Sequence, residues 1–160
     1  MPKTILVTGS TDGIGLLTAQ RFASGGHTVL LHGRSEAKLA AAATQIGGQT
    51  ESYVADLSIT TDVQALAAAI RRKHDRLDVL INNAGVLKTP VEKTADGLDM
   101  RIMVNTLAPY VLTRLLLPII PSDGRIVNLS SAAQAPVDFD VMAGRSSVDT
   151  MAAYSQSKLA

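Results

Sequence analysis

The sequence predicts an α/β fold built on a doubly wound parallel sheet. Short apolar runs at residues 5–7, 29–31 and 79–81 have the length and composition of buried strands. Segments with helical periodicity separate these runs, and glycine pairs at 25–26 and 47–48 end two of the helices. Strands that alternate with helices imply right-handed βαβ crossovers and a parallel sheet. Strands that are apolar throughout are typical of a sheet covered by helices on both faces.

Residues that favour a start, a stop or a kink help to place the predicted elements. Ser35 is the expected N-cap of the second helix, and Pro109 predicts a kink or break inside the long fourth helix. Residues 144–153 are predicted as a loop or turn. The sheet order 3-2-1-4-5 follows if a ligand crevice lies where strand one meets strand four. The predicted strands are 3–7, 28–32, 50–55, 77–82 and 124–129, and the predicted helices are 12–24, 35–46, 62–74, 95–117 and 153–160.

Length and composition limit the class of protein. A chain of 160 residues with 46% hydrophobic residues and a net charge of +1 is expected to form one globular domain over 1–160. The small charge and five aromatic residues speak against nucleic-acid binding, and the lack of cysteine excludes disulfide and thiolate chemistry. We predict no metal site. The apolar stretch at 111–120 is interrupted by Thr113, Arg114 and Pro118, so we expect a cytoplasmic protein with no membrane partner.

A glycine-rich turn lies between the first strand and the first helix. A pyrophosphate fits such a turn, because backbone N–H groups and the positive end of a helix meet there and glycine lets the backbone approach closely. The pattern is that of a Rossmann-type dinucleotide fold. The alternative is an ordinary tight turn between a strand and a helix. The residues predicted to contact the cofactor here are Gly9, Ser10, Thr11, Asp12, Gly13, Ile14 and Gly15.

Further motifs follow in the order of the predicted elements. Residues 82–85 read Asn-Asn-Ala-Gly after strand four, and Asn105 lies within the fourth helix. Ser130 and Ser131 end strand five, and Tyr154 and Lys158 lie one turn apart at the start of the last helix. With the glycine turn, this series resembles the short-chain dehydrogenase/reductase family over essentially the whole chain. The 23-residue spacing from Ser131 to Tyr154 resembles the retinol-dehydrogenase-like and oxidoreductase-like members, which have a long loop here.

The resemblance implies a role for each catalytic residue. Tyr154 is the expected general acid and base, because a nearby ammonium stabilises the tyrosinate and lets the phenol exchange a proton with a carbonyl or alcohol oxygen. Lys158 provides that ammonium and is expected to bind the nicotinamide ribose. The resemblance implies that Ser131, rather than Ser130, polarises the substrate oxygen, because the family's serine is the second of such a pair. Alternation along the strand lets only one of the two face the site. Asn105 is expected to hold a water in a proton relay, or to bond a local kink of the backbone.

The end of the second strand decides the expected choice of cofactor. An NAD-binding fold places an acidic residue about 20 residues past the glycine turn, to bind the ribose 2′-hydroxyl. Arg34 stands there instead, and a guanidinium suits a 2′-phosphate. We therefore predict NADP(H) in preference to NAD(H), with Arg34 and Ser35 at the phosphate. The alternative for Arg34 is an ordinary surface arginine.

The resemblance also implies the residues around adenosine and the class of substrate. Asp56 and Leu57 are expected to flank the adenine, and Asn83, Ala84 and Gly85 are expected to line the ribose. Asn82 is expected mainly to tie strand four to its neighbours. Members with the long loop often act on apolar carbonyls or alcohols, so we expect a substrate of that class beside loop 132–153. For the acidic residues of this loop, Asp138, Asp140 and Asp149, a solvated surface is the favoured interpretation.

The sequence ends two residues after Lys158, whereas the family fold continues. We therefore expect a C-terminally truncated version of the fold, with strand five at an exposed edge. Two alternatives to an active oxidoreductase stay open at this point. The chain is a catalytically silent dinucleotide-binding fragment, or it is a structural fragment that assembles into a homo-oligomer through its exposed edge.

Overall fold

The computed structural model describes residues 1–160 and has one parallel five-stranded sheet. Its strand order, β3-β2-β1-β4-β5, confirms the predicted doubly wound Rossmann-type topology. The strands are β1 (Thr4–Val7), β2 (Thr28–Gly33), β3 (Thr50–Val54), β4 (Val79–Asn82) and β5 (Arg125–Asn128). The helices are α1 (Gly13–Ser24), α2 (Glu36–Ile46), α3 (Thr60–Lys73), α4 (Met100–Ile102), α5 (Ala108–Leu116), α6 (Phe139–Met142) and α7 (Thr150–Leu159).

The two faces of the sheet bury separate apolar cores. Side chains alternate along β1, so Leu6 points to one face while Ile5 and Val7 point to the other. The Leu6 face packs against α3 and α5, and the opposite face packs against α1 and α2. The predicted apolar face of α3 is confirmed by the burial of Val63, Leu66, Ala67 and Ile70.

Parallel pairing brings the carboxyl ends of the central strands to one edge. Val7 pairs with Leu31 of β2 and with Ile81 of β4. The chain order reverses between β1 and β4, where an open α/β sheet leaves a crevice for a ligand. The glycine turn therefore lies beside the loop that follows β4.

The long helical segment predicted at 95–117 differs from the prediction in its first residue and in the backbone around Pro109. It begins at Met100 rather than residue 95, because Gly97 adopts a φ of 83° and Asp99 caps the helix by accepting from the Arg101 amide at 2.8 Å. Pro109 produces no break. A π-helical turn, Met103–Leu107, precedes it, and the Ala108 amide donates to the Met103 carbonyl. This wider turn accommodates a residue that has no amide hydrogen to donate.

The last helix also begins earlier than predicted. It starts at Thr150 rather than 153, because the Asp149 carboxylate accepts from the amides of Met151 and Ala152. Asp138 caps the short helix α6, which the sequence did not predict. These two aspartates are exposed, as expected, but each also holds the start of a helix.

The helical region Met100–Ile119 is long and apolar enough to cross a membrane by length and composition alone. Its inner face is buried against the sheet and α3, which is also the arrangement of a core helix. Beyond it, β5 forms one edge of the sheet, as predicted, with Ile126 38% exposed and Val127 44% exposed.

Candidate active site

A cleft of about 1080 Å³ opens at the carboxyl ends of the strands. Most of the residues predicted to bind a dinucleotide line it, together with two of the four predicted catalytic residues. The predicted residues that line the cleft are Gly9, Asp12, Gly13, Ile14, Gly15, Arg34, Asp56, Leu57, Asn83, Ala84, Gly85, Tyr154 and Lys158. Ser10, Thr11, Ser35, Asn105 and Ser131 are not part of its wall.

The glycine turn is packed too closely for larger residues. Gly9 has a φ of 63°, and a Cβ there would lie 2.9 Å from the Cα of Ala84. A Cβ at Gly15 would overlap the Gly9 carbonyl and the Asn83 amide nitrogen. Asn83 in turn donates to the carbonyls of Thr8 and Gly9, at 2.8 and 3.0 Å, and so holds the turn against the β4 loop. This cradle and the free amides of the first turn of α1 fit a pyrophosphate.

Three residues predicted to contact the cofactor have other positions in the structure. Ser10 is fully buried, and its hydroxyl accepts from the His32 amide at 2.9 Å. The Thr11 methyl packs against Gly33, where a Cβ would lie only 2.7 Å away. The Ser35 hydroxyl accepts from the Lys38 amide as the N-cap of α2, which confirms the cap but places no Ser35 atom on the cleft wall. The pattern of polar residues near the turn could not reveal which of them fold back onto β2.

Arg34 and Asp56 face each other in the cleft after β2 and β3, where the sequence predicts that adenosine binds. The Arg34 side chain is 71% exposed, and its Nη1 lies 3.8 Å from Asp56 Oδ2. The Asp56 carboxylate also accepts from the Ser58 amide at 2.8 Å, which fixes the carboxylate while the arginine stays exposed. An exposed guanidinium in this place can meet an anionic group that enters the cleft.

Tyr154 and Lys158 line the same cleft from α7, on the second and third turns of that helix. The Lys158 ammonium donates to the Leu129 carbonyl at the end of β5, at 2.9 Å. Gly85 leaves room for it, since a Cβ there would lie 3.2 Å from Lys158 Nζ and 3.3 Å from Asn105 Oδ1. The phenol and the ammonium are therefore held beside the cleft by α7, β5 and the β4 loop.

Asn105 lies in the π-helical turn and joins three parts of the site. Its Oδ1 accepts from the Val86 amide at 2.8 Å, and its Nδ2 donates to the Val86 carbonyl and to the Ser157 hydroxyl, each at 2.9 Å. These contacts run to the β4 loop and α7 rather than to a local kink of the backbone, and the water relay stays a prediction. Asn82 has the tying role expected of it, because its amide donates to Thr113 of α5 and Asn128 of β5.

The chain matches the short chain dehydrogenase family over residues 3–160. It belongs to this family. Human retinol dehydrogenase 13 is 40% identical over 168 residues, which include 99% of this chain and 51% of that protein. Human polyprenol dehydrogenase is 34% identical over 171 residues, which include 99% of this chain and 52% of that protein. The resemblance to retinol-dehydrogenase-like members is therefore confirmed.

A solved structure of a relative has a similar fold. A metagenomic short-chain oxidoreductase in complex with NADP has a TM-score of 0.77 and 37% identity, with 98% of this chain and 70% of that chain covered. The chain spans about half the length of the curated relatives it matches.

The two serines that follow β5 differ in their contacts. Ser130 lines the cleft, and its hydroxyl donates to the Lys158 carbonyl at 3.0 Å. The Ser131 hydroxyl accepts from the Ala133 amide at 3.2 Å and lies off the cleft wall. The structure thus turns Ser130 rather than the predicted Ser131 to the cleft. The Ser130 hydroxyl already donates its proton to the Lys158 carbonyl, whereas the Ser131 hydroxyl only accepts and keeps its proton free for another acceptor.

Sequence reasoning missed two parts of the site. The loop residues 86–91 and 93–96 line the cleft, but they contain no motif that could have revealed them. His32 also lines it and is 2% exposed. A histidine at the end of a buried strand, just before Arg34, is the one pattern that could have drawn attention to this position.

Proposed function

We propose that this chain forms the dinucleotide-binding part of an NADP(H)-dependent oxidoreductase that acts on an apolar carbonyl or alcohol. The observation that supports this most directly is the shared cleft. The glycine cradle, Arg34, Tyr154 and Lys158 line one continuous cavity. The cradle follows the central strand β1, and Arg34 follows β2 on one side of it.

The residues at the far end of the cleft supply the proton chemistry. A bound nicotinamide would provide or accept the hydride. In the direction of reduction, the Tyr154 phenol gives its proton to the carbonyl oxygen as the hydride reaches the carbon, and in oxidation it takes the proton from the alcohol. Lys158 stabilises the phenolate by its positive charge and offers N–H donors to a ribose hydroxyl. Ser131 is proposed to hold the substrate oxygen, because its hydroxyl hydrogen is free whereas that of Ser130 is bonded to the Lys158 carbonyl. This role requires the Ser131 side chain to turn towards the cleft when substrate binds, since Ser130 is the serine on the cleft wall.

The preference for NADP(H) over NAD(H) rests on Arg34. No acidic residue occurs between Gly25 and Ser35, and the Arg34 guanidinium is exposed at the adenosine end. A 2′-phosphate offers it a charge-assisted contact that a 2′-hydroxyl does not. The relative solved with NADP agrees with this choice.

The substrate class rests on the names of the relatives and on the loop beside Tyr154. Retinol and polyprenol, named in two relatives, are apolar alcohols. Phe139 is exposed on this loop, where it offers apolar surface. The cytoplasmic location and the absence of membrane and nucleic-acid partners stay predictions.

Binding tests the first half of the proposal. Titration of the purified chain with NADPH and NADH, followed by nicotinamide fluorescence, should show tighter binding of NADPH. Arg34→Ala should weaken NADPH binding by about 10- to 100-fold, the loss of one charge-assisted contact, and leave NADH nearly unchanged. Arg21→Ala, an exposed arginine on α1, is the matched control. Equal affinities for the two nucleotides would contradict the role of Arg34.

Turnover tests the second half. Oxidation of NADPH with a panel of apolar aldehydes and ketones should be abolished by Tyr154→Phe. Tyr110→Phe, which changes an exposed tyrosine of α5, should leave the rate unchanged. A chain that binds NADPH but reduces none of these substrates is a silent binding module, and the proposed activity is then wrong for it. Because Tyr154 and Lys158 both line the cleft, the silent binding module is the less favoured of the two functions.

A further inference from the structure

His32 connects three segments that surround the adenosine end of the cleft. The ring belongs to β2, and its Nδ1 accepts from the Gly9 amide at 3.1 Å. Its Nε2 lies 3.2 Å from the Ala55 carbonyl, directly before Asp56 and Leu57. The backbone of His32 is also bonded to Ser10, whose amide donates to the His32 carbonyl at 3.0 Å.

The two ring contacts require one state of the imidazole. The Gly9 amide can only donate, so Nδ1 must be the unprotonated nitrogen. The Ala55 carbonyl can only accept, so Nε2 must bear the hydrogen. Burial favours this neutral form and lowers the pKa of His32 to about 4. On the segments next to His32, the charged groups of the cleft wall are Asp12 before α1, Arg34 after β2 and Asp56 after β3. The wall also has Lys88, Lys93 and Asp96 after β4 and Lys158 on α7.

We propose that His32 is a positioning residue that fixes the distance between the phosphate-binding turn and the adenosine-binding residues Asp56 and Leu57. The inference rests on the proposed NADP(H) binding. A dinucleotide contacts both segments at once, so its affinity depends on their separation. The imidazole is the one side chain that bonds both the Gly9 amide and the Ala55 carbonyl. Neither segment is held to the other by a direct hydrogen bond.

Three substitutions separate the two contacts. His32→Leu removes both and keeps an apolar side chain of moderate size. His32→Asn keeps an acceptor at the distance of Nδ1 from the backbone, and His32→Gln keeps a donor at the distance of Nε2. We expect the leucine variant to weaken NADPH binding by at least about 10-fold, the value of one to two hydrogen bonds. The asparagine and glutamine variants should each restore part of this loss.

The measurement is the NADPH dissociation constant, with His27→Leu as the matched control. His27 lies at the opposite end of β2 and accepts from the Lys3 amide, so its removal should not change NADPH binding. Circular dichroism checks that each variant is folded. If the leucine variant does not fold, the asparagine and glutamine variants give the result by themselves, because each should bind NADPH more weakly than the wild-type chain.

A second readout needs no cofactor. Nitrogen-15 NMR of the unliganded chain should show His32 Nδ1 as the unprotonated nitrogen and Nε2 as the protonated one at neutral pH. Unchanged NADPH affinity in all folded variants, or the opposite tautomer, would overturn the inference. Failure of the wild-type chain to bind NADPH would instead overturn the proposed function, and the inference with it.

Discussion

Ser130 and Ser131 show how the use of a single proton decides a catalytic role. Ser130 faces the cleft, but its hydroxyl hydrogen is bonded to the Lys158 carbonyl. Ser131 accepts a bond from Ala133 and keeps its hydrogen free. A group that stabilises the developing charge on a substrate oxygen must have a hydrogen to donate.

We therefore expect Ser131→Ala to lower kcat by about 100-fold or more, the usual effect of removing one such donor. Ser130→Ala should lower kcat less than about tenfold, because the contacts that it removes go to the backbone of α7 and to the Gln134 side chain and not to the substrate. Steady-state kinetics with NADPH and one active aldehyde compare the two variants. A larger loss in Ser130→Ala than in Ser131→Ala would assign the role to Ser130.

His32 makes the stability of the chain depend on pH. Its pKa falls from 6.5 to about 4 on folding, because burial disfavours the charged ring. The unfolded chain therefore binds the proton more readily, and the free energy of unfolding decreases as the pH falls from about 6.5 towards 4. The full shift corresponds to about 3 kcal/mol.

Urea unfolding at several pH values from about 7 to 4 measures this effect, with His32→Asn as the comparison. The carboxyls of Glu51 and Asp78, whose pKa values are lowered by hydrogen bonds and ion pairs, also lose stabilisation as the pH falls, but equally in both proteins. The free energy of unfolding of the wild-type chain should therefore approach that of His32→Asn as the pH falls. Parallel curves would contradict a neutral His32 in the folded chain.

At the scale of elements, the π-helical turn joins the helix Met100–Leu116 to the catalytic end of the cleft. Asn105 projects from this turn and bonds the amide and carbonyl of Val86 and the Ser157 hydroxyl. The turn thereby holds the β4 loop and α7 at a fixed separation. Tyr154 and Lys158 lie on α7, so their position beside the cleft depends on the π-helical turn.

Asn105→Ala should lower the free energy of unfolding by about 2–4 kcal/mol, because it leaves the partly buried Val86 amide and carbonyl and the Ser157 hydroxyl without this partner. Asn105→Asp keeps the acceptor for the Val86 amide but loses both donors, so we expect an intermediate loss. Denaturant unfolding measures all three proteins. Gln49→Ala is the control, because it removes an exposed amide whose only side-chain contact is to Thr28, and it should cost little. A loss in Asn105→Ala no larger than in Gln49→Ala would contradict this role.

At the scale of the whole molecule, the sheet has an exposed edge at β5. Ile126 and Val127 are partly exposed there, and the outer backbone groups of the strand have no strand beside them. Such an edge favours association with another chain. Association of two copies through this edge would form the homo-oligomer expected from the sequence, and it stays a prediction.

We expect the purified chain to associate as its concentration rises and Val127→Lys to reduce this association, because a charge on an edge strand opposes pairing. Val148→Lys, which changes a similarly exposed valine in the loop before α7, is the control. Sedimentation velocity over a range of concentrations compares the three proteins. Association that is equal in all three would exclude the β5 edge as its site.

The sequence by itself determined the fold class, the sheet order and most of the cleft. Apolar periodicity and glycine positions are local properties, and they identified all five strands and the turn at Gly9 to Gly15. Element boundaries were less accurate where a cap lies before the periodic pattern, as at Asp149, or where a glycine delays it, as at Gly97.

Only the tertiary structure decided which polar side chains face the cleft. Ser10 and Asp12 lie two residues apart in the same turn, yet one is buried against His32 and the other lines the cavity. The same holds for the two serines after β5. The physical reason is that orientation depends on partners more than 20 residues away, such as His32 for Ser10 and Lys158 for Ser130. A local pattern contains the residue type but not the distant group that takes its hydrogen bond.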